Sequence, residues 1–291
     1  MTTSTVLVTG ANGKLGRHVT ELLLDKGGLK VIAASRDTAK LADLAARGAE
    51  TRRADFDDPA GLIEAFKGVD RLLIISTDAM APGQRLRQHL NAVEAAKAAE
   101  VKDIVYTSMP KPEGSAVVFA NDHLGTENAI KASGMAYTIL RNAWYQENLM
   151  LMLPHALASG THYSSAGDGR ISHVAHADCA RAAAAALARP STGETFTLTG
   201  PDLYTFDQIA TLASEVTDRP LKVIYVSDEQ LADGMKAGGA PEFLIPMLVS
   251  FDTNTRQGGF DVLTGDVELL TGQKPRSLRA FLEAGKAAFA G

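Results

Sequence analysis

Gly10, Gly13 and Gly16 follow the apolar run Val6-Leu7-Val8-Thr9 at an even spacing. That arrangement suits the gripping of a phosphate. Gly10 lets the chain turn tightly, Gly13 lets backbone approach an anion with no Cβ between, and Gly16 lets a helix start close against the strand. A helix beginning at Lys14 offers free amides and partial positive charge to that anion. The spacing is GxxGxxG rather than GxGxxG, and a glycine-rich turn can serve structure alone. The flanking pattern of strand 4–9, helix 14–25 and strand 30–35 argues for a dinucleotide site.

The second strand ends in Ser35-Arg36-Asp37, with Lys40 one turn later. Where an acidic residue would bind ribose hydroxyls there is Ser35, while Arg36 and Lys40 supply charge for a 2′-phosphate. Asp37 either caps the next helix or reaches the ribose. NADP(H) is therefore favoured, with NAD(H) left open. Asp55 and Phe56 follow the third strand, where they would flank an adenine; Asp55 reads equally as a turn residue.

A tyrosine with a lysine four residues later is the usual acid–base pair of short-chain dehydrogenases. No tyrosine here has one: the partners are Pro110, Arg141, Leu149, Gly167, Gln208 and Glu229. Sugar-nucleotide epimerase or dehydratase chemistry is disfavoured accordingly. The helix that would carry the pair holds His123 and Glu127, an i, i+4 spacing on one face. His123 reads either as a proton donor or substrate ligand, or as half of a solvated His–Glu pair. His173, His176 and Asp178 lie close in sequence, but nothing converges them on a metal, and Asp178 suits the first turn of a helix.

The elements that must position these residues alternate. Strands are expected at 4–9, 30–35, 49–53, 70–75, 102–107 and 135–140, with helices at 14–25, 38–46, 59–66, 84–99 and 121–132. Apolar strands without alternation, such as Leu72-Leu73-Ile74-Ile75, imply a parallel sheet covered on both faces. The expected fold is α/β: a Rossmann-type, doubly wound parallel sheet over 1–150 and a smaller C-terminal α/β lobe over 151–291. An alanine-rich helix 176–188 packs back on the sheet. A helix 145–158 and extended pieces near 161–163 and 170–174 follow Arg141, and from residue 190 come strands 194–198 and 221–226 and helices 205–217, 228–237, 241–249 and 276–289, which read as the smaller lobe.

The 291 residues are 45% hydrophobic and 22% charged, with a net charge of −5. This is globular composition with no electrostatic call for nucleic acid or an anionic membrane. Cys179 is the only cysteine, so no intrachain disulfide can form. The start shows no signal-peptide pattern, and the alanine-rich 179–188 stretch, interrupted by Arg181, is too short for a membrane span. A cytoplasmic protein is expected.

Taken together, Val8-Thr9-Gly10-Ala11-Asn12-Gly13-Lys14-Leu15-Gly16, Ser35-Arg36, Ala54-Asp55-Phe56, Leu73-Ile74-Ile75-Ser76, Val105-Tyr106-Thr107-Ser108, Asp122-His123, Tyr137-Thr138-Ile139-Leu140-Arg141-Asn142 and Trp144-Tyr145-Gln146-Glu147-Asn148 resemble the NmrA-like atypical short-chain dehydrogenases. Within them the chain is most similar to type 2 NAD(P)H:quinone oxidoreductases. Ala166-Gly167-Asp168-Gly169, Ala177-Asp178 and Gly258-Gly259 carry the likeness to the C-terminal part.

The resemblance implies cofactor contacts at Gly10, Asn12, Gly13, Lys14, Leu15, Arg36, Asp55, Phe56, Ser76, Thr77, Thr107 and Asn142. It implies a substrate pocket at His123, Trp144, Tyr145 and Asn148, with His123 and Tyr145 the catalytic candidates. Trp144 and Tyr145 would stack on a flat aromatic substrate, Trp144 alternatively filling the core. The implied function is hydride transfer from NAD(P)H to a quinone without flavin or metal. Related members are anthraquinone reductases that support hydroxylation in aromatic polyketide antibiotic biosynthesis, or non-catalytic redox sensors; either would bring a partner protein. A homodimer is compatible with any of these.

The missing Tyr–Lys pair agrees with a quinone. Reducing a ketone makes an alkoxide, a strong base that needs an acid beside it. Reducing a quinone makes a phenolate-like oxygen with a conjugate acid near pKa ~10, which water or a weak donor can protonate.

Overall fold

Strands buried on both faces need apolar residues at every position, and this chain supplies them. The computed structural model describes residues 3–289. Its first half runs β1 (Thr5–Val8), α1 (Lys14–Lys26), β2 (Lys30–Ser35), α2 (Ala42–Ala46), β3 (Glu50–Arg53), α3 (Pro59–Phe66), β4 (Arg71–Ile74), α4 (Gln84–Ala98), β5 (Asp103–Ser108), α5 (Ala120–Ala132) and β6 (Ala136–Asn142). There follow β7 (Trp144–Tyr145), α6 (Leu149–Ser159), β8 (Thr161–Ser164), β9 (Ile171–Val174), α7 (His176–Leu187), β10 (Glu194–Leu198) and β11 (Leu203–Tyr204). The chain continues through α8 (Phe206–Thr217), β12 (Lys222–Tyr225), α9 (Asp228–Ala237), α10 (Ile245–Arg256), α11 (Asp266–Thr271), α12 (Leu278–Ala284) and α13 (Lys286–Phe289).

Seven parallel strands form one sheet in the order β10-β6-β5-β4-β1-β2-β3. Val6, Leu7 and Val8 pair with Val31, Ile32 and Ala33 on one side and with Arg71, Leu72 and Leu73 on the other. The order reverses between β1 and β4, the switch point at which such sheets open a crevice. Side chains alternate across the sheet. Val6, Val8, Leu73 and Val105 pack against α1 and α7, while Leu7, Ile32, Leu72 and Ile104 pack under α3, α4 and α5. The buried Ala180, Ala183 and Ala186 of α7 have little bulk, so that helix lies close to α1 and the sheet.

A third core gathers Leu149, Leu153 and Leu157 of α6, Ile171 of β9, Ile209 of α8 and Phe281 of α12. The N-terminus of α8 is closed by a reciprocal cap between Thr205 and Gln208, the device its sequence encodes. Among the described residues no helix is long and apolar enough to cross a membrane.

Some segments depart from the sequence expectation. Strand 194–198 belongs to the main sheet, not the lobe: α7 crosses the sheet face and returns the chain parallel to β6, whose edge β10 covers. The expected helix 145–158 begins only at Leu149, after a two-residue strand and a 3-10 turn. The helix expected at 241–249 runs instead from Ile245 to Arg256. The one expected at 276–289 breaks at Gly285 into α12 and α13.

Two glycines of opposite function give a test. A Cβ on Gly16 would stand 2.4 Å from the carbonyl oxygen of Gly10, whereas one on Gly234, inside α9, would meet nothing. Gly16→Ala should destabilise by about 1–3 kcal/mol through overpacking of backbone. Gly234→Ala should stabilise by about 0.5–1 kcal/mol. Urea unfolding of both variants measures the contrast, and equal effects would refute it.

Candidate functional site

The crevice at the switch point is lined first by the β1–α1 corner. Gly10 takes φ +62°, a left-handed conformation closed to most side chains, and its carbonyl accepts the amide of Gly13 at 2.8 Å. The hydroxyl of Thr9 donates to the carbonyl of Leu73 (3.0 Å) and accepts from the amide of Ile75 (2.9 Å), which locks the ends of β1 and β4 together. The start of α1 has no side-chain cap and no acidic residue in its first turn. Its amides are left for an anion. The bare backbone of Gly13 and Gly16 is the cradle that a pyrophosphate needs, so the corner fits a dinucleotide.

The 2′-phosphate end fits as well. The carboxylate of Asp37 accepts from the amide of Ala39 (3.1 Å) and lies 3.9 Å from Lys40. It is a cap, turned to its own helix. Arg36 is exposed and makes no ion pair among the described residues. Asp55 pairs with Arg53 (3.0 Å) and accepts from the amide of Asp57 (3.2 Å), so it holds a turn while lining the cleft. Phe56 beside it is buried.

The floor beyond is polar and neutral. The amide of Ser76 donates to Thr107 Oγ1 (2.9 Å), and the amide of Thr77 donates to His89 Nε2 (2.9 Å). His89 Nε2 is therefore an acceptor, and its proton sits on Nδ1, facing Thr126 Oγ1 (2.9 Å). Thr126 in turn donates to the carbonyl of Asp122 (2.6 Å). Tyr106 donates to His123 Nδ1 at 2.8 Å, which places the proton of neutral His123 on Nε2. His89 is fully buried and His123 is 4% exposed. Burial, reinforced by Arg85, pushes both histidines down to about 3.

This corrects the reading of His123 and Glu127 as a solvated pair. The two share a helix face but not a bond. Glu127, fully buried, takes Ser108 (2.7 Å), a fork from Arg141 (2.9 and 2.7 Å) and Lys131 (3.3 Å), and so cross-links α5 to β5 and β6.

The far wall is formed by Tyr145 and His176, whose ring centroids lie 4.1 Å apart with the planes tilted by 57°. The side-chain amide of Asn142 donates to Tyr145 Oη (2.9 Å), and its carbonyl oxygen is buried without a partner. Burial raises the Tyr145 phenol, and it lowers His176 against the pull of Glu147.

Gly10, Asn12, Gly13, Lys14, Leu15, Arg36, Asp55, Phe56, Ser76, Thr77, Thr107 and Tyr145 thus line one cleft of about 860 Å³. Asn142 stands behind Tyr145. His123, Trp144 and Asn148 are outside the lining. Trp144 packs on Phe251 (4.2 Å) and Phe260 (5.7 Å), the core role the sequence allowed. No group of three or more His, Cys, Asp or Glu among the described residues could hold a metal ion. Sequence reasoning missed His176 and the first turns of α4, where Gln84, Arg85 and Gln88 line the cleft. The signal available was Gln84 and Gln88 at i, i+4.

Known proteins resemble this chain in sequence and fold. The sequence model of the NmrA-like family matches residues 2–282. Quinone oxidoreductase 2 of Escherichia coli is 37% identical over 256 residues, 87% of this chain and 89% of that one. The crystal structure of the NADPH-dependent E. coli quinone oxidoreductase 2 with NADPH superposes with a TM-score of 0.91 at 35% identity, covering 96% of this chain and 99% of that one. Triphenylmethane reductase of Citrobacter sp. complexed with NADP(H) gives a TM-score of 0.89 at 31% identity, covering 97% of this chain and 100% of that one.

The buried histidines make stability depend on pH. His89, His123 and His173 are held at about 3 and His162 at about 4, all by burial first. The unfolded chain protonates them near pH ~6.5, so acid favours unfolding. Their contribution is full above that pH and is lost progressively as pH falls toward 4. Each adds a slope of up to about 1.4 kcal/mol per pH unit. Urea unfolding across about pH 7.5 to 4.5 should show the fall; a flat profile would mean that these rings are charged in the folded protein.

Proposed function

The chain belongs to the NmrA-like family, and from that premise we propose that it is an NADPH-dependent reductase of quinones and similar flat, conjugated acceptors. It is an NAD(P)H-dependent oxidoreductase of the α/β Rossmann type. The observation that carries the finer reading is one continuous cleft. A phosphate-gripping corner and an unpaired Arg36 form one end, and the Tyr145–His176 wall the other.

NADPH bound there would supply the hydride, with no flavin or metal required. The residues do the rest. Gly10, Gly13 and the start of α1 hold the pyrophosphate, and Arg36 with Lys40 takes the 2′-phosphate. Ser76, Thr77, Thr107 and Asn142 orient the nicotinamide end, and Tyr145 gives the acceptor a flat surface. Burial keeps His123 neutral, so no imidazolium stands ready as a strong acid. That supports a quinone over a ketone, because a phenol-like oxygen can take its proton from water or a neutral donor. Residues up to about 150, together with α7 and β10, form the dinucleotide-binding part, and the remaining C-terminal segments close over the acceptor. The lone buried Cys179 accords with a cytoplasmic setting.

Arg36→Ala should weaken NADPH by about 1.5–3 kcal/mol and leave NADH unchanged, as read by titrating both cofactors. Equal binding of NADPH and NADH by the wild type would remove the 2′-phosphate assignment. A panel of benzo-, naphtho- and anthraquinones should be reduced faster than isolated aliphatic ketones. His123→Ala should cost no more than about a hundredfold in kcat. Binding of NADPH with no quinone turnover and capture of a protein partner would mark a sensor instead.

A further inference from the structure

The cleft contains a buried cation that nothing in the fold neutralises. Arg85, on the first turn of α4, lines the cleft and is only 9% exposed. Its single hydrogen bond runs from Nη2 to the carbonyl of Ala79 at 3.3 Å, and its Nε is buried with no partner. No carboxylate among the described residues lies within ion-pair distance of it; Asp122 and Asp78 attract it only from farther off. The equally buried Arg71 and the half-buried Arg141 have shorter, better-placed hydrogen bonds. Arg71 donates Nε to the carbonyl of Leu187 at 2.7 Å, and Arg141 forks onto Glu127. Burying an unpaired guanidinium is costly, and the cost is recovered where a ligand completes its hydrogen bonds.

Its surroundings indicate which ligand. The guanidinium carbon sits 4.5 Å above the ring of Phe119. Phe119 edges onto His123 (5.7 Å) and Phe251 (6.0 Å), and Phe251 continues to Trp144. Arg85 thus belongs to the aromatic side of the molecule. The cationic residues for the cofactor phosphates, Lys14, Arg36 and Lys40, come from the β1–α1 and β2 ends.

We propose that Arg85 is a specificity-determining residue that selects aromatic acceptors carrying an anionic substituent, a sulfonate or carboxylate, which its guanidinium would clamp while the ring system lies toward Tyr145. This rests on the reductase reading above. A planar fork suits such a group and gives two parallel charge-assisted bonds.

The test uses ligands that cannot be reduced. Calorimetry on the NADP⁺-loaded protein compares naphthalenesulfonate with the uncharged naphthalenesulfonamide. Wild type should bind the sulfonate about tenfold or more tightly. Arg85→Gln should erase the preference, and Arg85→Lys should retain part of it. NADP⁺ affinity should stay within about twofold in both variants, given that other residues hold the phosphates. No preference in the wild type would overturn the proposal, as would a loss of NADP⁺ affinity matching the loss of sulfonate, which would assign Arg85 to the cofactor. A charge preference in a protein that reduces no quinone would overturn the reductase reading, and with it the role in acceptor choice, and leave Arg85 as the clamp for an aromatic anion. Quinone turnover without the preference would do the reverse.

Discussion

The site depends on a close approach of backbone to backbone. At Gly16 the helix axis of α1 comes so near the end of β1 that a single methyl group would collide with the carbonyl oxygen of Gly10. That approach aims the uncapped amides of α1 across the C-terminal edge of the sheet, and the anion-binding corner exists only because of it. Thr9 extends the constraint sideways, since its hydroxyl bonds both the carbonyl of Leu73 and the amide of Ile75. The loop after β4 is thereby held at a set distance from the glycine turn. The width of the cleft is decided by these two residues before any ligand enters.

Beneath the cleft the protein solves a different problem. His89, Tyr106, His123, Thr126 and Glu127 lie among apolar helices, where each uncompensated polar group would cost about 1–3 kcal/mol. The amide of Thr77, Nδ1 of His89 and the hydroxyl of Thr126 each find an acceptor along the chain to the carbonyl of Asp122, while the hydroxyl of Thr77 is buried without a partner. Glu127 is compensated by charge instead, through Arg141 and Lys131. The network leaves its histidines neutral with defined tautomers. The amide of Thr77, a cleft residue, is therefore held in place by a group that does not change charge near neutral pH.

The parts of this site that could be read from sequence are those set by local chemistry. The glycines, the strand ends at Arg36 and Asp55 and the cap at Asp37 depend on neighbours a few residues away. Burial and long-range packing hid the rest. The i, i+4 spacing of His123 and Glu127 placed both on one face, but only the sheet beneath α5 turns one toward Tyr106 and the other toward Arg141. Strand 194–198 looked like part of a second lobe because the helix that returns it to β6 precedes it by a loop of ordinary length. Arg85 carried no signal: an arginine in the first turn of a polar helix ordinarily faces water, and the loop at Ala79 and the ring of Phe119 are what enclose it.

The distribution of charge and acidity along the cleft then limits the chemistry. Lys14, Arg36 and Lys40 carry positive charge where phosphates would lie, and Arg85 adds one more charge on the aromatic side. At the other end the titratable groups are poor acids: burial raises the phenol of Tyr145 and lowers His176, and beneath the cleft it keeps His123 and His89 neutral. An alkoxide forming there would have no proton source of matching strength, and its barrier would rise accordingly. A phenolate-like product asks for far less, because its charge is spread over the ring and its conjugate acid is already near pKa ~10. For the proposed reaction the cleft would instead supply placement of two flat partners, an effect that can contribute about 7–11 kcal/mol toward a bimolecular barrier. The same residues that would make a poor ketone reductase would therefore leave the proposed quinone reduction unimpaired.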